Sequence, residues 1–108
     1  MPESFTAKER DLIRFEFMMR GGLAYRLSEG IFLHRWVGGP RKGKPKLTKT
    51  VQSMLDRGLV EIYDLGENAA VYARFTAAGI EALRAMASDQ RFLPADKYAH
   101  LIEELKTL

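Results

Sequence analysis

From residue 6 the chain reads Thr6-Ala-Lys-Glu9, then sets Leu12, Ile13, Phe15, Phe17 and Met19 among Lys8, Arg10, Asp11, Arg14 and Glu16. Thr6 can accept from the backbone of Glu9 while the Glu9 side chain reaches back, which is a capping box. The pattern predicts a helix over residues 7–20, ended by Gly21-Gly22. Its apolar face is wide, so the helix is expected at the centre of the fold. Residues 23–27 suit a short strand. Ile31, Phe32, His34 and Trp36 then fit a helix started by Ser28 and Glu29. The same run, Ile31 to Val37, also reads as a buried strand, because periodicity does not separate the two in a short apolar run. The start signals favour the helix.

Residues 38–45, Gly-Gly-Pro-Arg-Lys-Gly-Lys-Pro, have the composition of a loop. Pro45 is then expected in the first turn of a helix over residues 46–57, stopped by Gly58. Leu47, Val51, Met54 and Leu55 form its apolar stripe. The opposite side carries Lys46, Lys49, Ser53, Asp56 and Arg57, flanked by Thr50 and Gln52. Two runs with strand character follow, residues 59–65 and 70–75, with Gly66-Glu67-Asn68 between them, which predicts a hairpin. Thr76 caps a helix with apolar positions Ile80, Leu83, Met86 and Ala87. After Pro94, the side chains Tyr98, Leu101, Ile102 and Leu105 follow helical spacing closely and predict a last amphipathic helix over residues 94–107.

With 108 residues, 46% of them hydrophobic, the chain is one domain's worth of sequence, its core expected over residues 5–88 with the amphipathic helix added. There are no cysteines, which excludes disulfides, thiol catalysis and cysteine-based metal sites. Two histidines, His34 and His100, do not suggest a metal centre. No Ser/His/Asp arrangement stands out and the carboxylates are scattered, so neither enzymatic activity nor a cofactor is expected. No uncharged stretch exceeds six residues, and Pro2 and Glu3 precede no apolar signal core. A cytoplasmic protein without membrane association is the expectation.

Charge is uneven. Residues 35–57 hold Arg35, Arg41, Lys42, Lys44, Lys46, Lys49 and Arg57 against Asp56 alone, a balance of +6, while the rest of the chain sums to −3. A field concentrated in one short window suits a polyanion. Within it, Gly38-x-x-x-x-Gly43-Lys44 imitates a phosphate-binding loop of nucleotide hydrolases. Pro45, however, stands where the magnesium-binding Ser or Thr is required, and supplies neither hydroxyl nor N–H.

The order of elements, together with two phrases, resembles a winged helix-turn-helix. Leu55-Asp-Arg-Gly-Leu-Val60 is similar to the junction between recognition helix and first wing strand in that superfamily. Phe75-Thr-Ala-Ala-Gly-Ile-Glu-Ala-Leu83 resembles the wing exit and following helix of the MarR and PadR groups of bacterial regulators. The resemblance implies an α+β, mainly helical fold with a three-helix core, a β-hairpin wing and additional C-terminal helices. It implies sequence-specific binding of double-stranded DNA, as in a transcriptional regulator, with helix 46–57 in the major groove. The alternative is a winged helix that meets an acidic protein partner through the same basic face. Lys46, Lys49, Gln52 and Ser53 are the expected base readers. Arg41, Lys42, Lys44, Thr48, Thr50 and Arg57 are the expected phosphate contacts, helped by backbone N–H groups near Lys46 and Leu47. Asn68 would mark the wing. Tyr98, Leu101, Ile102 and Leu105 would either fold back on the first helix or pair with a second subunit. The resemblance favours a homodimer, with half-sites about 34 Å apart. The sequence names no effector.

Overall fold

The computed structural model of the chain describes residues 4–18, 26–66 and 70–108. These residues form an α+β fold of four helices and a three-stranded antiparallel sheet. The first helix, α1 (Ala7–Phe17), begins as expected: the Glu9 amide donates to Thr6 Oγ1 at 3.2 Å, and Glu9 Oε1 accepts from the Thr6 amide at 2.9 Å. It stops at Phe17, where Met18 is already extended, so it is shorter than the apolar spacing predicts. Met19 and Gly21-Gly22 lie outside the described residues, as do residues 23–25 of the expected first strand.

The expected helix after Ser28 does not form. Residues 31–33 are instead strand β1 (Ile31–Leu33), and residues 34–48 contain no helix. Ile31 and Leu33 are buried while Phe32 is exposed, the alternation of a half-buried strand. Gly30 explains the choice. It sits at φ +87°, and a Cβ there would lie 2.4 Å from the carbonyl oxygen of Ala73. The chain thus enters β1 pressed against its neighbouring strand, where a side chain has no room. Pro45 does not start a helix either; it bridges Arg35 across a hairpin spanning residues 34–46. The His34 carbonyl accepts from Lys46 N at 2.7 Å, and Trp36 N donates to the Lys44 carbonyl at 3.0 Å.

Helix α2 (Lys49–Asp56) is capped by Thr48, whose Oγ1 accepts from Val51 N. It ends at Gly58 (φ +74°), with Leu59 N donating back to the Met54 carbonyl. Strands β2 (Val60–Asp64) and β3 (Val71–Phe75) pair as expected, and β1 joins the other side of β3, giving the order β1-β3-β2. The two sequence phrases behind the resemblance meet at the base of this hairpin. Thr76 Oγ1 donates to the Gly58 carbonyl at 2.6 Å, and Thr76 N donates to the Leu59 carbonyl at 3.1 Å. Thr76 also caps α3 (Ala77–Ala87), whose Gly79 lies so close that a Cβ would fall 2.0 Å from the Leu59 carbonyl oxygen.

The last helix, α4 (Ala95–Leu105), follows Pro94 as predicted, and its stripe packs within the domain. Tyr98, Leu101 and Leu105 are buried in the same core as Ile13, Phe17, Leu27 and Leu83, and Ile102 is half-buried against it. Polar anchors tie α4 down as well. Tyr98 donates to the Arg14 carbonyl, His100 meets the Phe17 carbonyl at 2.8 Å, and Glu104 accepts from the amides of Leu27 and Ser28 at 2.6 and 3.0 Å. Of the two readings of this stripe, the structure shows the fold-back. Among the described residues, no helix is long and apolar enough to cross a membrane.

Candidate nucleic-acid interface

The basic window of the sequence becomes two adjoining pieces of structure. One is the 34–46 hairpin, whose outer half carries Arg41, Lys42 and Lys44, all exposed. Turns within it are closed by Lys42 N to the Gly39 carbonyl and by Lys44 N to the Arg41 carbonyl, and the three cations are exposed. Trp36, half-buried, lies at the foot of the hairpin, with Lys46 Nζ 4.9 Å and the Arg41 guanidinium 5.9 Å from its ring centroid. Those distances are within cation–π range and hold both cations over an apolar base.

The second piece is the solvent face of α2, where Lys49, Gln52 and Asp56 are exposed. A shallow depression of about 240 Å³ joins the two pieces, lined by Trp36, Arg41, Lys44, Pro45, Leu47 and Gln52. Gln52 thus shares one surface with the hairpin cations. Its amide nitrogen donates to Asp56 at 2.8 Å, which parks the C-terminal acid of the helix against its own neighbour.

Several expected site residues stand elsewhere. Lys46 precedes the helix rather than starting it, and its amide donates to the His34 carbonyl, so that amide is not open to a phosphate. Ser53 and Arg57 are half-buried and turned toward α1. Ser53 Oγ donates to Glu9 at 2.8 Å, and Arg57 donates to the same carboxylate at 2.6 Å and to the Ser4 carbonyl. Both take part in the packing of α2 on α1, so the side chains expected to meet DNA are engaged by Glu9. Thr50, on the same flank, is half-buried. Thr48 is exposed at the helix start, its hydroxyl oxygen taken as the cap. Asn68 lies outside the described residues.

The sequence places Glu9 in a capping box and Arg35 in the basic window, but gives no sign of the long-range partners that either takes. Glu9 is 1% exposed. Burial pushes its carboxyl pKa up, but the Thr6 amide, Arg57 and Ser53 outweigh that and hold it below the ordinary value. Arg35 is the other. Its guanidinium donates to the Gly43 carbonyl at 2.8 Å, to both oxygens of Asp64 at 2.6 and 3.2 Å, and to the Gly66 carbonyl at 2.7 Å. It therefore ties the cationic hairpin to the end of β2. Hydrogen bonds from Arg35 and from the Gly66 amide bring the Asp64 pKa down to about 2. Sequence spacing gives no hint of a pairing between residues 35 and 64; only the pairing of β1 and β2 on either side of β3 brings them together.

Among the described residues, no three His, Asp or Glu side chains gather where a metal could be held. Comparison of the chain with protein-family models, with curated proteins and with solved structures finds no match in any of the three.

Proposed function

We propose that the protein binds double-stranded DNA through the surface formed by the cationic hairpin and the N-terminal half of α2, in the manner of a winged-helix transcriptional regulator. The observation that carries this reading is the shared depression between Gln52 of α2 and Trp36, Arg41 and Lys44 of the hairpin. It puts groups able to read base edges beside groups able to neutralise phosphates, the two components of duplex recognition. In this reading α2 approaches the major groove with Lys49 and Gln52. Arg41, Lys42, Lys44 and Lys46 hold the flanking backbone. The order α1, β1, α2, β2, β3 suits a winged helix with one substitution: the hairpin of residues 34–46 stands where a second helix would support the recognition helix. That exchange replaces an apolar brace by a cationic arm, and shifts weight from base reading toward backbone binding.

The test is fluorescence anisotropy with a labelled random duplex over a range of salt concentrations. Five cations, Arg41, Lys42, Lys44, Lys46 and Lys49, set an upper slope of about −4.5 in log K against log salt. A slope of about −3 to −4.5 is expected. Absence of duplex binding at low salt overturns the reading and leaves the acidic protein partner as the occupant of the same face.

A further inference from the structure

The sheet has two unlike faces. Ile31, Leu33, Val60, Val71 and Ala73 point into the core and are buried. The other face carries Phe32 from β1, Tyr72 from β3 and Tyr63 from β2. Phe32 and Tyr63 are both register partners of Tyr72, so the three rings form one row across all three strands. Phe32 is 48% exposed and Tyr63 44%. Phe32 meets Tyr72 edge-on at 5.8 Å and His34 edge-on at 5.2 Å. The Arg74 guanidinium lies 4.5 Å from the Tyr63 centroid, and Glu61 is the outward acid opposite Arg74.

Single apolar side chains on a surface need no explanation, but a contiguous aromatic patch does. Cross-strand ring contacts stabilise a sheet, yet stabilisation alone leaves unexplained why the outer ring on each edge strand is nearly half open to solvent. The surroundings of the row indicate what would cover it. At the Phe32 end a groove of about 210 Å³ is bounded by Phe32, His34, Lys46 and Thr48, with the Glu16 carboxylate also in its lining, and it leads from the rings to Lys46 at the edge of the cationic surface. At the other end the Arg74 guanidinium lies over the Tyr63 ring and donates to the Ser28 carbonyl. Flat aromatic rings bordered by cations match unpaired bases, whose faces stack while their phosphates seek positive charge. A duplex cannot use such a row, because its own bases cover one another.

We infer that the outer face of the sheet is a stacking platform for single-stranded nucleic acid, whose backbone runs along the groove toward Lys46. This site goes beyond the duplex reading and shares only Lys46 with it.

Titration of a fluorescein-labelled oligothymidylate into the protein tests it, beside a random duplex as the second arm. The double variant Phe32→Ala, Tyr63→Ala is expected to bind the single strand about tenfold more weakly for each ring removed. Its duplex affinity should stay unchanged, and Phe32→Tyr with Tyr63→Phe should keep single-strand binding. Should the alanine pair unfold, Tyr63→Ser alone, on an edge strand, carries the same expectation at one ring's worth of loss. A wild-type protein that does not bind the oligothymidylate, or binds it no better than the variants, overturns the platform. So does sedimentation showing a dimer that the alanine pair dissolves, since a second copy would then own the face. Loss of duplex binding with single-strand binding intact would strike the duplex reading instead.

Discussion

At the scale of single residues, the most consequential side chain is one that no surface reading would select. Glu9 serves the cap of α1 and, at the same time, receives Ser53 and Arg57 from α2. A carboxylate this buried is tolerable only with its counter-charge in place. Arg57→Ala is therefore expected to destabilise the protein by about 3 kcal/mol, read as a lower urea midpoint. A loss within about 0.5 kcal/mol, the range of ordinary surface changes, would mean that Arg57 is a solvated cation after all. Because the folded-state pKa of Glu9 is lowered, its contribution is complete above the unfolded carboxyl value and fades as pH falls through the folded one. The Arg35–Asp64 clamp has the same sign. Asp64 is held at about 2 against an ordinary 3.8, so the clamp should persist down to about pH 4 and open as pH falls toward 2. Trp36 is the single tryptophan and lies in the clamped hairpin, so its fluorescence reports the opening. Asp64→Asn should shift that emission at neutral pH, and an unchanged spectrum would show the hairpin to be held without the clamp.

At the scale of elements, the two pieces of the cationic surface make separable predictions. Changing Arg41, Lys42 and Lys44 together to Ala should weaken binding to every duplex alike and flatten the salt slope by about 2–3. Lys49→Ala should cost about 1–3 kcal/mol on a selected site and less on random DNA; equal losses on both would make Lys49 a phosphate contact. Local pattern made much of this legible. The capping box of α1, the two strands of the β2–β3 hairpin and the Thr76 cap of α3 all rest on contacts within a few residues, and each stands where the spacing places it. The failures are tertiary. The apolar stripe of α2 alone cannot reveal that α1 packs on the Ser53–Arg57 flank. Ser28 and Glu29 are good helix starters, but Gly30 pressed on Ala73 commits the chain to a strand, a constraint invisible until β3 is in place.

At the scale of the whole molecule, the last helix decides how the domain closes. Its apolar stripe is legible in the sequence, but whether the domain or a second copy covers that stripe depends on what α1 and α3 leave open. The structure spends it inside: Leu101 is 1% exposed, and Tyr98 and Leu105 are buried with it. A domain of 108 residues has few core side chains to spare. Leu101→Ala should cost about 2–5 kcal/mol by leaving a cavity between α4 and the core. The double change Leu101→Asp, Ile102→Asp goes further, because it asks the core to accept a carboxylate with no counter-charge, a penalty comparable with the entire stability of a small domain. Its expected result is loss of the cooperative unfolding transition in circular dichroism, together with loss of duplex binding. A stripe reserved for a partner would behave otherwise. The double variant would then remain folded, unfold with a normal midpoint and differ from wild type only in its mass by light scattering. That outcome would return α4 to the role of a dimerisation helix. Loss of folding instead fixes it as the wall behind α1, so that the Glu9–Arg57 pairing, and through it the position of α2 beneath the cationic hairpin, depends on a helix at the far end of the chain.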